Sequence, residues 1–127
     1  MRLLLDTHAL LWWFSDHPAL SPKARGLIAD SGNELFVSAA SAWEMAIKSR
    51  AGKLDAGPLL DNLVEELVGG GFHPLPISVD HAVRAGALPE HHRDPFDRML
   101  IAQAQAENLA ILSNDEGFAR YGIRRIW

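Results

Sequence analysis

One carboxylate in the sequence lies where a helix is expected to bury its apolar face. Asp94 is followed by a proline, and the pair predicts a helix start, because aspartate is a favourable N-cap and proline suits the first helical position. Asp97 falls on the face of this helix that also carries Leu100 and Ile101, which are residues of core type. A carboxylate there is costly unless it is paired, hydrogen-bonded or bound to a metal ion. We therefore expect other charged groups to meet Asp97.

Two further aspartates follow predicted strands. Asp6 comes directly after the apolar run at residues 3–5, and Asp115 follows the predicted strand at residues 110–113. Ligands of parallel α/β sheets bind at the carboxyl ends of the strands. Since the start of the helix that carries Asp97 should lie at the same edge of the sheet, we predict that the three carboxylates lie close together.

Each acidic residue also has an ordinary structural explanation. Asp6 and Asp115 would suit the caps of the helices that follow them, and Asp97 would suit the positive end of its helix dipole. Glu44 precedes Lys48 by four residues, which is the favourable order for a surface ion pair. Taken together, however, several carboxylates at one edge of a sheet repel one another unless a cation neutralises them.

The chemistry of such a cluster would be that of a hard divalent cation. The chain has no cysteine, and oxygen ligands favour Mg²⁺ or Mn²⁺. A metal ion held by carboxylates activates water and stabilises charge on a phosphate, which is the physical basis of metal-dependent nucleases.

The elements that must position these residues alternate between strands and helices. This alternation predicts a single domain over residues 1–127, built as a three-layer α/β/α sandwich around a mainly parallel central sheet. The third strand contains prolines, which favour the edge of the sheet. Strands are predicted at 2–5, 34–38, 72–77, 110–113 and 123–127. Helices are predicted at 8–14, 22–30, about 41–52 with Ser41 as its cap, 58–68, 79–88, and from Pro95 onward.

The composition narrows the classes of protein. The 127 residues are 48% hydrophobic and 22% charged, which is typical of a globular domain rather than a disordered chain. No apolar stretch is long enough for a membrane span, and no signal peptide is recognisable at the start. With no cysteine either, a cytoplasmic protein is expected. A net charge of −4 argues against a general electrostatic nucleic-acid binder, so nucleic-acid chemistry would need bound cations or a local basic patch.

Four blocks of sequence carry a resemblance to a known family, and the resemblance extends over the whole chain. The chain resembles the PIN-domain ribonucleases, and specifically the VapC-like toxins of prokaryotic toxin–antitoxin pairs. The blocks are LLLDTHAL at 3–10, SAWEM with Lys48 at 41–48, DPFDRMLIAQA at 94–104, and LSND at 112–115 ahead of Phe118.

The resemblance implies both a site and an activity. It implies that Asp6, Glu44, Asp97 and Asp115 form an acidic pocket that binds one or two Mg²⁺ or Mn²⁺ ions. It also implies endonucleolytic cleavage of RNA, homodimers, and inhibition by a VapB-like antitoxin encoded beside the toxin. Many relatives carry a threonine where this chain has Ser113, so a hydroxyl near the site is kept, although a capping or turn role for Ser113 fits as well.

Two alternative functions are weighed against this one. An aspartate-based phosphoryl-transfer domain would use an aspartyl nucleophile on a similar sheet. However, the stretch that begins at Asp6 lacks the second aspartate that one such class needs two residues further on. A non-catalytic module that kept only the PIN fold for binding or dimerisation would show gaps in the acidic set. All four of its positions are filled in this chain.

Basic and histidine residues near the acidic blocks have less specific interpretations. Four cations could contact RNA phosphates, although ordinary solvated surface charge is the preferred interpretation for any single one of them. They are Lys48, Arg50, Arg93 and Arg98. The pair His91 and His92 is interpreted as part of a solvated loop, because no third ligand has the spacing of a transition-metal site.

Adjacent tryptophans on the first helix give one candidate interface. Trp12 and Trp13 cannot both face one core, so they could bind a partner or a second subunit. A structural arrangement with one ring inward and the other partly exposed is the alternative.

Overall fold

The computed structural model describes all 127 residues and contains one five-stranded sheet in which every pair of neighbouring strands is parallel. The strands are β1 (Arg2–Leu5), β2 (Glu34–Ser38), β3 (Phe72–Leu75), β4 (Ala110–Leu112) and β5 (Arg125–Ile126). The helices are α1 (Thr7–Phe14), α2 (Pro22–Ala29), α3 (Ala39–Arg50), α4 (Gly57–Asp61), α5 (Leu63–Gly69), α6 (Val79–Ala87) and α7 (Pro95–Glu107), followed by a 3₁₀ helix at Glu116–Tyr121.

Helices cover both faces of the sheet, and the central strand β1 contributes to both hydrophobic layers. Leu3 and Leu5 lie in the cluster that also contains Met45 of α3, whereas Leu4 lies in the cluster that contains Ile101 of α7. Successive side chains of a strand point to opposite faces, so the unbroken leucine run of β1 fills both layers. The predicted three-layer α/β/α fold with a parallel sheet is confirmed.

The strand order, β3-β2-β1-β4-β5, places a crevice beside β1. The chain runs outward from β1 through β2 to β3, then returns to the other side of β1 to form β4. The connections after β1 and β4 therefore leave in different directions, and such a switch point is where open α/β sheets bind ligands. Leu5 pairs with Leu112, so the residues that follow these two strands emerge side by side.

Several predicted boundaries needed correction. Helix α3 begins at Ala39, and its cap is Ser38, whose Oγ accepts a hydrogen bond from the Ala40 N–H at 2.9 Å. Ser41 is therefore not the cap. It lies buried within the helix, where its Oγ accepts a hydrogen bond from the Thr7 hydroxyl at 2.9 Å. Strand β2 leads directly into α3, so the serine that ends the strand caps the helix.

Two other elements differ in extent from the prediction. The single helix predicted at 58–68 is two short helices, α4 and α5, separated by Asn62, whose φ of −134° is not helical. The third strand is shorter than predicted, but its position at the edge of the sheet is confirmed, with Pro74 inside it. None of the helices combines the length and the apolar character that a membrane span requires.

The start of α7 agrees with the prediction. The Asp94 carboxylate accepts hydrogen bonds from the backbone N–H groups of Phe96 at 2.8 Å and Asp97 at 3.3 Å, so Asp94 is the N-cap. Leu100 and Ile101 are buried, as the pattern predicts. The same helix thus packs against the sheet and presents Asp97 in its first turn, at the switch-point crevice.

Candidate active site

Asp6 and Ser113 occupy the ends of β1 and β4. The Ser113 hydroxyl donates a hydrogen bond to Asp6 Oδ2 at 2.7 Å and accepts one from the Asp115 backbone N–H at 3.0 Å. Both Asp6 and Ser113 are buried. Burial raises the pKa of Asp6 above its ordinary value, and the Ser113 hydrogen bond only partly opposes this effect. Ser113 therefore connects two members of the predicted acidic set.

Asp97 is the least compensated carboxylate of the site. No side chain or backbone group donates a hydrogen bond to it, and it forms no ion pair with any cationic side chain. Burial and, to a smaller extent, the nearby charges of Asp94, Asp6 and Glu44 raise the pKa of Asp97 to about 7, against a lowering effect of His92. A carboxyl group with this environment gains stability from either a proton or a cation.

Glu44 enters the site from α3 together with Lys48. Glu44 is buried and accepts a hydrogen bond from the Lys48 ammonium one turn further along the helix. This hydrogen bond raises the pKa of Lys48 against the opposing effect of burial, and the charges of Asp94 and Asp97 act in the same direction as Glu44. Lys48 therefore offsets part of the negative charge of the site.

Asp115 is held from two sides. Its Oδ1 accepts a hydrogen bond from the Gly117 N–H at 2.8 Å, and its Oδ2 lies 2.9 Å from His92 Nε2. Burial opposes ionisation, but the hydrogen bonds from His92 and Gly117, together with the charges of His92 and Arg125, lower the pKa of Asp115. In contrast to Asp97, Asp115 is stabilised as an anion by the protein itself.

The position of His92 corrects the expectation of a solvated loop. The His92 side chain is 11% exposed, and its ligand atom lies within 4.8 Å of those of Asp97 and Asp115, whereas the adjacent His91 is exposed. The residue was missed because Asp115, its partner, lies 23 positions away in the sequence. Local spacing could not reveal this pair; the only signal was that His92 precedes the acidic block by two residues.

The residues present fit a divalent cation. Two ligands of one ion lie at most about 4–5 Å apart, because each metal–oxygen bond is about 2.0–2.6 Å long. The ligand atoms of His92, Asp97 and Asp115 meet this condition. Asp6 and Glu44 are close enough to Asp97 to raise its pKa, so the structure brings all four predicted carboxylates to one crevice. Carboxylate-rich sites of this kind suit Mg²⁺ or Mn²⁺.

Arg98 is bonded to the backbone of its own chain. Its guanidinium donates hydrogen bonds to the carbonyl oxygens of Ala85 and Leu88 at 2.8 Å, Pro89 at 3.1 Å and His92 at 3.2 Å. These bonds attach the loop before α7 to the end of α6. Carbonyl groups from a distant turn thus use its donors, which the sequence pattern does not reveal, and contact of Arg98 with RNA stays a prediction.

The other predicted cations are available to different degrees. Arg50 and Arg93 are exposed, whereas Lys48 is paired with Glu44. Contact of these residues with RNA stays a prediction. Trp12 and Trp13 are both half-buried against the chain's own core, and the Trp12 ring meets that of Trp127 edge to face at 5.8 Å.

The fold and the crevice define an α/β protein with a carboxylate cluster at the switch point of a parallel sheet. Comparison with protein families matches residues 3–124 to the PIN domain, and the chain belongs to the PIN-domain family. Over 71 residues the chain is 41% identical to Ribonuclease VapC16 of Mycobacterium tuberculosis, a match that covers 52% of this chain and 49% of that protein. The matched segment thus spans about half the length of that relative.

Solved structures share the fold over nearly the whole chain. The DNA-bound VapBC of Salmonella typhimurium superposes with a TM-score of 0.72 at 19% identity and covers 99% of this chain and 97% of its own. VapBC2 of Rickettsia felis, bound to a promoter DNA fragment, gives a TM-score of 0.71 at 15% identity, with 99% and 98% covered. At these identities the likeness to solved structures establishes the fold. The match of residues 3–124 to the PIN domain confirms the family that the sequence resemblance predicted.

Proposed function

We propose that this chain is an endoribonuclease that depends on Mg²⁺ or Mn²⁺ and acts as the toxin of a toxin–antitoxin pair. The observation that carries the proposal is the Asp97 carboxylate, which lies among other carboxylates with no hydrogen bond and no ion pair. The family match and the ribonuclease identity of VapC16 support RNA as the substrate. We also propose that residues 1–127 form one nuclease domain, since both hydrophobic clusters pack on the same sheet.

In this proposal the acidic residues bind the ion in two ways. Asp6, Asp97 and Asp115 provide the ligand oxygens, and Glu44 completes the site directly or through water. Ser113 holds Asp6 by its hydrogen bond, and so limits the orientations of that carboxylate. When bound, the ion activates the attacking water and stabilises the charge that develops on the scissile phosphate.

The RNA backbone is proposed to reach the site beside the exposed cation Arg93. A cavity of about 320 Å³ lies beside the acidic site, and its lining residues are Glu90, His92, Arg93 and Arg98. Because the chain carries a net charge of −4, phosphate contacts have to come from such local cations rather than from the whole surface. Arg93 and Arg50 are the candidates whose side chains are exposed.

The toxin assignment makes its own predictions about partners. Two structural neighbours are VapBC assemblies, which supports an antitoxin of the VapB type; the homodimer is proposed from the family resemblance of the sequence. Expression of the chain alone should arrest cell growth, and co-expression of a small protein encoded in the adjacent reading frame should restore it. Light scattering of the purified chain should give the mass of a dimer. A monomer at micromolar concentration would contradict the homodimer.

The activity is tested with purified protein and structured RNAs, in Mg²⁺ and separately in EDTA. Cleavage should require the metal and should be lost in Asp97→Asn, whereas Asp61→Asn, which changes an exposed aspartate on α4, should cleave normally. Cleavage that EDTA does not stop would contradict the metal mechanism. Transfer of phosphate to the protein instead of release of RNA fragments would favour an aspartate-based phosphoryl-transfer domain.

A further inference from the structure

We propose that His92, fixed by Tyr121, is a positioning residue that holds the Asp115 carboxylate in the orientation needed to bind the metal ion. This inference rests on the proposed function, because it concerns the same acidic site. It adds to the four predicted carboxylates a histidine that acts through one of them.

The hydrogen bonds at Asp115 determine which nitrogen of His92 carries the proton. An ionised carboxylate only accepts hydrogen bonds, so His92 Nε2, which lies 2.9 Å from Asp115 Oδ2, must be the donor. In the neutral ring His92 Nδ1 is then an acceptor, and it lies 3.1 Å from the Tyr121 hydroxyl. The Tyr121 hydroxyl also lies 3.4 Å from the Pro89 carbonyl oxygen, so its single proton goes to one of these two acceptors, and Tyr121 contacts His92 Nδ1 in either case.

The His92 ring is also held by packing. It stacks on Phe118 with a centroid separation of 5.0 Å and an interplanar angle of 19°, and Phe118 is fully buried. The backbone of His92 is fixed as well, because its carbonyl accepts a hydrogen bond from Arg98 at 3.2 Å. The imidazole thus has one orientation, which it imposes on its carboxylate partner.

Gly117 gives a second, independent observation. A Cβ atom at this position would lie 2.8 Å from His92 Cε1, closer than real Cβ atoms approach, and 3.0 Å from Asp115 Oδ1, which is a tight contact. The backbone of Gly117 nevertheless has no left-handed φ that would require glycine. A side chain here would force the His92 ring or the Asp115 carboxylate to shift, because both lie directly against the backbone of Gly117.

Asp115 needs such support because its side chain is only partly buried. Its side chain is 42% exposed, compared with 11% for His92, so burial alone does not fix its rotamer. With Oδ2 bonded to His92 and Oδ1 bonded to Gly117, each oxygen keeps lone-pair capacity for a cation shared with Asp97. Partners of this kind that orient a metal ligand raise metal affinity by about 10–100-fold.

The test is a calorimetric titration of the full chain with Mn²⁺ and with Mg²⁺. His92→Phe should weaken the affinity for both ions by about 10–100-fold, because it keeps a flat ring but loses the donor to Asp115. His92→Gln should recover most of the affinity, since its amide can donate to the carboxylate. The matched control is His73→Gln, which changes an exposed histidine on β3 and should bind both ions as the wild type does.

A variant that keeps His92 tests the same idea. Gly117→Ala should displace the ring and weaken Mn²⁺ binding by about 10-fold, whereas Gly26→Ala, whose Cβ would meet nothing within 4 Å, should have no effect. Melting temperatures in EDTA record any general loss of folding. This pair keeps the test decisive if His92→Phe folds poorly.

Three results would overturn the inference. Wild-type affinity in His92→Phe, with only its melting temperature lowered, would mean that His92 is merely structural. If both His92 variants lost affinity for Mn²⁺ but kept their affinity for Mg²⁺, His92 would be identified as a direct nitrogen ligand of the ion instead. If the wild type itself binds neither ion, both the proposed function and the positioning role fail. If the wild type binds the ions and the His92 and Gly117 variants bind them with the same affinity, the positioning role alone fails and the proposed function stands.

Discussion

Replacement of Asp97 by asparagine should stabilise the metal-free protein while it removes metal binding. The substitution preserves the shape of the side chain and deletes its charge. It breaks no hydrogen bond to the carboxylate, because none is present, and it relieves repulsion from Asp94, Asp6 and Glu44. Most substitutions of a residue in a folded protein are destabilising, so an increase in stability would be diagnostic of charge crowding.

The magnitude follows from the pKa of Asp97, which is about 7 in the folded protein against an ordinary value of 3.8. A raised pKa means that the folded state binds the proton more tightly, so the stabilisation by protonation is complete below pH 3.8 and is lost as the pH rises through 7. Between about pH 5 and about pH 8 this linkage amounts to at most about 2.7 kcal/mol. Because Asp97 is partly exposed, solvent screening reduces the expected loss to about 1–2 kcal/mol.

Equilibrium unfolding by urea in EDTA measures this effect. Between about pH 5 and about pH 8 the unfolding free energy of the wild type should fall by about 1–2 kcal/mol. The unfolding free energy of Asp97→Asn should not show this fall. At about pH 5 Asp97 is protonated in the folded state but ionised in the unfolded state, so Asp97→Asn should already be the more stable protein, and the two should become equal only below pH 3.8. Asp61→Asn, at an exposed position, should follow the wild type at both pH values.

Addition of Mg²⁺ or Mn²⁺ should reverse the order of stability. A ligand that binds only the folded state stabilises it by about 2.7 kcal/mol at 100 times its dissociation constant, and Asp97→Asn should gain little of this. The reasoning would be refuted if Asp97→Asn were less stable than the wild type in EDTA at about pH 8. The reasoning would also be refuted if the difference in unfolding free energy between Asp97→Asn and the wild type did not depend on pH.

Three other substitutions probe the groups that support the site. Ser113→Ala should cost about 1–3 kcal/mol in urea unfolding, because it leaves the buried Asp6 carboxylate without its donor. Arg98→Lys should cost about 2–3 kcal/mol and accelerate hydrogen exchange in the loop it holds, since an ammonium cannot reach four carbonyls at once. Lys48→Met should cost about 1–2 kcal/mol near pH 7, because Glu44 is left buried without its partly exposed partner.

Each of these variants has a matched control at an exposed position. Ser15→Ala, Arg93→Lys and Lys53→Met repeat the chemical changes away from the contacts described, and each should stay within about 0.5 kcal/mol of the wild type. Equal losses in a variant and its control would contradict the assigned contact. For Arg98, unchanged hydrogen exchange in the loop would be equally contradictory.

Local patterns were sufficient wherever the relevant interactions are close in sequence. The leucine run of β1 and the cap at Asp94 depend on neighbouring residues, and the structure agrees with both predictions. The edge position of β3 could also be predicted, because a proline cannot donate to a neighbouring strand. The cap of α3 was placed three residues too late, at Ser41 instead of Ser38, since both residues satisfy the same local rule.

The sequence by itself determined that carboxylates would follow the central strands and that one of them would lie on an apolar helix face. Only the tertiary structure decided that Asp97 has no partner of its own, that His92 holds Asp115, and that Arg98 binds backbone carbonyls. The physical reason is the same in each case. These properties depend on groups contributed by different elements at the switch point of the sheet, and a one-dimensional pattern records residue types and spacing but not which distant polar groups the fold brings together.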